Sequence, residues 1–395
     1  MGPLKAPDLA SPQFKANPYP FYARLRAEAP VYRTRALDRP LWLVTRYDDV
    51  LTVLKDEHFA NDWSPRMPWA LLYLAKPLTR GMLSRDAPEH TRLRTLVNKA
   101  FTPRLVERLR EQIQTVCENL LETAAPQGRI ELVRDYALPL PLTIIAELLG
   151  VPPQDRLRFH AWSRRMVGTS TGLEMLRALP NIWLLIRHLR KLFAARRSDP
   201  HDDLVTALVE AEEAGDHLSE EELVAMVILL LIGGYETTVN LIASGTLALL
   251  QHPHERDRFQ QNPALAASAI EELLRFTSPL EIGSVRYVRE EVTIASVTLP
   301  RGQLVSAVLG SANRDPSQFS EPDSLNLARE PNRHLAFGMG AHFCLGAPLA
   351  RLEGQLALTT LFRRFPALRL AEPPEALRWR RSLILRGLEA LPLAF

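Results

Sequence analysis

Phe337-Gly338-Met339-Gly340-Ala341-His342-Phe343-Cys344-Leu345-Gly346 decides how this chain of 395 residues is read. It sets one of only two cysteines among three glycines and two aromatic rings. A helical pattern resumes at Ala350-Arg351-Leu352-Glu353 and Leu356-Ala357-Leu358, so Cys344 stands just before a helix N-terminus. Unpaired amides and partial positive charge at such an end stabilise a thiolate. That suits an anionic metal ligand. Glycine lets the backbone approach a broad flat ligand closely, and Phe337 can screen the sulfur from water. The competing reading is a buried structural cysteine, which describes Cys117 inside its amphipathic helix.

Upstream of this stretch, from Gly310 to Phe343, periodicity disappears for more than thirty residues. A loop of that length in a compact protein is usually functional. Further back, Ser219 and Glu222 form a capping box that opens a helix running to about Leu250. At ~1.5 Å per residue it would span roughly 45 Å. Its centre reads Leu231-Ile232-Gly233-Gly234-Tyr235-Glu236-Thr237-Thr238-Val239-Asn240. Two glycines inside a helix cost about 1 kcal/mol each relative to alanine, so something must compensate. Glycines remove bulk and let a ligand lie against the helix, while a threonine hydroxyl bonding to the preceding turn opens a local bulge. Glu236 and Thr237 pair an acid with an alcohol at that place.

Two further pairs carry charge. Glu272-Leu273-Leu274-Arg275 puts opposite charges three apart on one helix face. Ala87-Pro88-Glu89-His90-Thr91-Arg92-Leu93-Arg94 puts His90 and Arg94 four apart, one above the other, where both can face one anion.

Composition sets the outer bounds. Apolar residues make up 46% and charged residues 24%, which excludes a disordered or collagen-like chain. Forty-eight basic residues against 45 acidic ones leave no global argument for nucleic acid. The longest apolar run, Leu223 to Tyr235, is 13 residues, whereas a bilayer crossing needs roughly 20. No transmembrane helix and no export signal are expected, and the two cysteines, 227 positions apart, are read as free thiols in the cytoplasm. From Pro103 to Leu250 the pattern is mostly helical. Strand-like segments lie near both ends: Leu41–Thr45, then Val292–Ile294 and Gln303–Val308 around a Pro300-Arg301-Gly302 turn. The reading is one mainly α domain over 1–395, with a small β-rich portion near the N-terminus and another in the C-terminal third.

The stretch around Cys344 closely resembles the haem-binding loop of the cytochrome P450 family. The other three motifs occur in that family's order along the chain, and with the ends they extend the resemblance over essentially its whole length. It implies the triangular-prism fold of the family, haem b as cofactor and Cys344 as the proximal thiolate of the iron. Phe337, Gly338, Gly346, Gly234 and Thr238 then line the cofactor. His90, Arg94, Arg286 and His342 become ligands of the haem propionates through charge-assisted bonds. Thr237 and Glu236 match the family's oxygen-activation motif, with the threonine bonding dioxygen and the acid relaying protons. Glu272 and Arg275 match a structural pair that anchors the loop before the cysteine. Where relatives carry an arginine in that loop this chain has Ser324, which leaves Arg333 or His334 to act as third partner.

The function so implied is that of a monooxygenase inserting one oxygen atom from O2 into a small apolar organic substrate. Electrons are expected from a separate ferredoxin or flavodoxin, docking on a basic face of Arg92, Arg104 and Arg351. The expected protein is a monomer that binds neither nucleic acid nor membrane. Trp69, Leu72, Gly233, Leu280, Ile282 and Ile384 fall where the family lines its pocket. A peroxide-driven enzyme or a haem-binding sensor is the alternative, and the presence of both Glu236 and Thr237 argues against each. A Gly-x-Ser-x-Gly motif at Gly168–Gly172 resembles a hydrolase nucleophile elbow, but the segment before it looks helical and not strand-like. Gly338-x-Gly340 lacks the third glycine and the preceding strand of a dinucleotide site.

Overall fold

The computed structural model describes residues 7–36, 39–62, 80–156, 158–159, 161–162, 172–210 and 218–395. Trp69 and Leu72 lie outside these residues, as does Ser170 of the hydrolase-like motif. The chain divides into two units. The first comprises 1–61, 117–137 and 237–395, and the second 62–116 and 138–236. Two helices, Arg110–Ala124 and Glu220–Gln251, contribute residues to both.

The first unit holds all the described strands: β1 (Val31–Ala36), β2 (Arg39–Val44), β3 (Phe59–Ala60), β4 (Arg129–Glu131), β5 (Arg286–Val288), β6 (Val292–Ile294), β7 (Val297–Leu299), β8 (Leu304–Ala307), β9 (Arg369–Leu370) and β10 (Pro392–Ala394). They form a five-stranded sheet in the order β1-β2-β8-β5-β3, a three-stranded sheet β4-β10-β9 and the hairpin β6-β7. Successive side chains of a strand point to opposite faces, and β2 divides accordingly. Leu41 and Leu43 join a core with Leu9, Tyr22, Leu25 and Val308. Val44 joins another with Val50, Val53, Val288 and Val305. Both faces of the sheet are therefore buried.

The expected strand segments are all present, but one pairing differs. β6 turns back at Ala295 and Ser296, both at positive φ, to pair with β7. Such mirror-image two-residue turns match the twist of the flanking strands. The Pro300–Gly302 turn instead leads from β7 into β8, with Gly302 at φ +88° and its amide on the Val288 carbonyl at 2.7 Å. β8 pairs with β2 and β5.

In the second unit the long helix opens as its capping box requires. Ser219 N–H donates to Glu222 Oε2 at 2.8 Å, and Glu222 N–H to Ser219 Oγ at 3.3 Å. The helix spans Glu220–Gln251. Glu236 ends its unbroken apolar run, yet the mean hydropathy of its best window stays high enough for a bilayer crossing. Because 65% of that window is buried inside the protein, it is a core helix. In the first unit its later turns pack tightly on the helix Ala347–Arg364, where a Cβ on Gly354 would stand 3.0 Å from Leu241 Cδ2. That close approach fixes the helix which follows Cys344.

Candidate active site

The cysteine loop is built by backbone bonds. Cys344 N–H donates to the Phe337 carbonyl at 2.9 Å, folding the ten-residue stretch back on itself. Gly338 and Gly340 adopt φ +70° and +77°, where L side chains are strained. At Gly340 space forbids a side chain as well, since a Cβ would stand 2.9 Å from the Leu54 carbonyl oxygen. A Cβ on Gly346 would stand 3.9 Å from Cys344 Sγ, in ordinary van der Waals contact with the sulfur. Gly346 caps the helix Ala347–Arg364, and Cys344, half-buried, stands three positions before its first residue. Cys117 is fully buried, and desolvation pushes its thiol up to about 12 despite a hydrogen bond with Tyr136. It is the inert structural thiol expected.

Arg286 lies on β5, buried, and its Nη1 donates to the carbonyls of Val53 at 2.8 Å and Leu54 at 3.2 Å. These are carbonyls at the C-terminal end of the helix Tyr47–Lys55, where a cation is favoured. The same Leu54 carbonyl crowds Gly340, so the Arg286 strand and the cysteine loop meet at one helix end. His342 ends the short 3-10 turn Gly340–His342.

The long anchoring loop is held by Glu272 and Arg275, both completely buried. Arg275 Nε and Nη2 grip the Glu272 carboxylate at 2.7 and 2.8 Å. Arg275 also donates to the carbonyls of Asn313, Pro322 and Ser324. The third partner is Arg329, whose Nε lies 3.1 Å from both Glu272 oxygens. This corrects the expectation of Arg333 or His334. His334 bonds Glu271 at 3.0 Å instead, and the Arg333 carbonyl accepts from the Tyr47 hydroxyl.

Arg351 is not a free member of a docking face. It holds Glu271 through two bonds, at 2.7 and 2.8 Å, and stacks on Phe337. Although burial raises its pKa, Glu271 is held at about 2 by its hydrogen bonds from Arg351 and His334. In the second unit Arg92 is likewise bound, to Glu89 and Glu222, whereas Arg104 is exposed.

His90 and Arg94 share one face of the helix Glu89–Ala100. His90 is buried, and desolvation together with the nearby positive charge of Arg94 pushes its pKa down. On the long helix a Cβ on Gly233 would meet nothing within 4 Å, while one on Gly234 would touch Ile145 Cδ1 at 3.7 Å. Gly233 thus faces open space, whereas Gly234 packs on Ile145. Tyr235 is buried, and Glu236 and Thr237 are half-buried. Thr238 is buried and hydrogen-bonds the carboxyl of Glu353, which turns it toward the helix Ala347–Arg364. Leu280 and Ile282 approach Ile384 through backbone bonds from Glu281 and Ile282 to the Ile384 carbonyl. Ile384 is exposed, but Ile282 is wholly buried in the core with Tyr22 and Leu43, so packing accounts for its side chain. Arg329, Glu271 and Glu353 have no sequence signal of their own beyond lying near motifs already read.

The family model of cytochrome P450 matches residues 8–199 and 184–387. The chain belongs to the cytochrome P450 family. It is 43% identical over 394 residues to the polyketide biosynthesis cytochrome P450 PksS of Bacillus subtilis strain 168, covering 97% of this chain and 96% of that one. The solved PksS structure superposes with a TM-score of 0.92 over 98% and 99% of the two chains. The 6-deoxyerythronolide B hydroxylase of Saccharopolyspora erythraea is 38% identical, over 98% of each chain. P450BioI, solved in complex with an acyl carrier protein bearing hexadec-9Z-enoic acid, is 37% identical with a TM-score of 0.90, covering 98% of this chain and all of that one.

The protein is accordingly a bacterial-type P450 monooxygenase with a haem-iron cofactor, inserting oxygen from O2 into an organic substrate. The cysteine loop fits such a group, with a half-buried cysteine sulfur standing just before a helix N-terminus.

Proposed function

We propose that this P450 binds haem b through Cys344 and oxidises a long apolar acyl or polyketide chain in the cytoplasm, acting as a monomer. The observation that carries this reading is the cysteine loop, with Cys344 N–H tied to the Phe337 carbonyl and its sulfur half-buried just before the helix Ala347–Arg364. His90, Arg94, Arg286 and His342 hold the propionates, and Phe337, Gly338, Gly234 and Gly346 line the ring. Haem supplies the oxygen and electron-transfer chemistry, and the polypeptide supplies position, dryness and protons. Thr237 donates a hydrogen bond beside the bare helix surface, and Glu236 exchanges protons with water. Thr238, turned to Glu353, braces the helix at that point. Leu280, Ile384 and Gly233, with Trp69 and Leu72, offer the substrate apolar contact. The whole chain acts as one functional domain, a reading supported by the helix Glu220–Gln251 common to both units.

Electrons come from a separate ferredoxin or flavodoxin. We read the substrate as carrier-borne, because PksS serves polyketide biosynthesis and P450BioI was captured with an acyl-loaded carrier protein. The test is turnover under isotopically labelled O2 with a reconstituted electron donor. One labelled oxygen atom per product is expected, and Thr237→Ala should consume electrons with far less product, since removing such a proton-handling group typically costs about 10²–10⁴ in rate. Unlabelled product, or undiminished coupling in the variant, would overturn the assignment.

A further inference from the structure

We propose that the outer face of the helix Gly172–Ser198 is the docking surface for an acidic acyl carrier protein; this rests on the carrier-borne reading above. Five large apolar residues are exposed among the described residues, and three of them stand on six consecutive positions of this helix. These are Leu179 at 50%, Trp183 at 59% and Leu184 at 37%. Exposed apolar clusters rimmed by polar groups mark interaction sites.

Charge on the same helix is one-sided. From Met175 to Ser198 there is no carboxylate, while Arg177, Arg187, Arg190, Lys191, Arg196 and Arg197 are all basic, in a chain whose net charge is only +3. Arg196 is engaged with Asp203 at 2.5 Å and the Gly150 carbonyl at 2.9 Å, and Arg190 with Glu220 at 2.7 Å. Arg187, Lys191 and Arg197 are exposed and have no carboxylate partner among the described residues. The Arg187 guanidinium lies 5.5 Å from the Trp183 ring centroid. Trp183, Arg187, Arg190 and Ala194 follow one another at three- and four-residue spacing, lining a shallow groove of about 340 Å³ with Ile186 and Lys191.

Tryptophan and arginine dominate the energetics of protein interfaces, and a single-sign stripe selects an oppositely charged partner. A carrier protein is strongly acidic and fits that stripe. A membrane-seated helix needs an apolar face along its length, whereas here the apolar patch ends at Leu184 and the next turns carry cations. A second copy would bring like charge against like charge.

The test measures binding of a bacterial holo acyl carrier protein, with and without a hexadec-9-enoyl thioester, to the haem-loaded full-length protein at low and high salt. Arg187→Glu combined with Lys191→Glu, and separately Trp183→Ala, should each weaken binding at least tenfold. The affinity of the wild type should fall as salt rises. The spectral response to free hexadecenoic acid and the reduction rate with ferredoxin should not change. If the wild type binds no carrier protein, the carrier-borne reading fails and the docking surface with it. If it binds but the variants bind equally well, the docking assignment alone fails. Loss of reduction by ferredoxin in the variants, tighter binding to anionic phospholipid vesicles than to carrier protein, or dimers that the charge reversal dissolves would each overturn the proposal in favour of that other occupant.

Discussion

The guanidinium of Arg351 lies over the ring of Phe337, 4.6 Å from its centroid, while its Nε and Nη2 hold the carboxylate of Glu271. One side chain thus ties the helix Ala266–Thr277 to the first residue of the cysteine loop from the helix that follows Cys344. A cation on an aromatic face is worth roughly 0.5–2 kcal/mol, and the paired carboxylate fixes its direction.

Arg351→Ala should therefore loosen the cysteine loop and weaken haem retention, with Arg351→Lys recovering only part because lysine cannot grip and stack together. The change should also show in acid. Glu271 titrates at about 2, below the ordinary value of 4.5, so its stabilisation is present above 4.5 and lost as pH falls through 2. Without Arg351 the acid-unfolding limb, followed by far-UV circular dichroism, should begin at higher pH than in the wild type. Coincident acid limbs would contradict this role.

Glu272 is gripped by Arg275 and Arg329 where no water reaches it. Removing one member of a buried pair leaves an uncompensated charge and costs about 3–5 kcal/mol. Arg329→Met is expected to lower the denaturation midpoint clearly, and Arg275→Met further, since Arg275 also satisfies three loop carbonyls. A negligible loss for Arg329→Met in urea titrations would show that Arg329 is dispensable, and a loss equal to that of Arg275→Met would show that the loop carbonyls add nothing.

Much of this was legible before the fold was known. Cys344, the capping box of Ser219 and Glu222, and the pair Glu272 and Arg275 are local patterns, each with its partners within a few residues. The residues missed are those whose meaning depends on distant chain. Arg329 reaches Glu272 across 57 positions through an irregular loop, where no periodicity tells which side chain points inward. Arg351 reads as a surface cation until the helix bearing Glu271 is placed beside it. Ile282 looks like a pocket residue from its position after the Glu-x-x-Arg helix, yet the sheet needs it as core. The pairing of β6 with β7 turned on Ala295 and Ser296, which are not the usual residues for positive φ.

Glu353 offers a test in the neutral range. Burial raises its carboxyl to about 8, even though the hydrogen bond with Thr238 opposes the shift. Between about 4.5 and 8 the folded protein therefore holds a proton that the unfolded chain has released. Stability should fall as pH rises through that window, by up to about 1.4 kcal/mol per pH unit, and level off above it. Glu353→Gln, which cannot ionise, should flatten the dependence of Tm on pH between 6 and 8. A variant as pH-sensitive as the wild type would show that Glu353 ionises freely in the folded state.

Thiolate ligation by Cys344 is tested most directly by the difference spectrum of the dithionite-reduced protein with and without carbon monoxide, repeated for Cys344→Ala. The wild type should show the red-shifted Soret band from which the family takes its name, and the variant should lose it. Persistence of that band in Cys344→Ala, or its absence from the haem-reconstituted wild type, would contradict the assignment of Cys344 as the iron ligand.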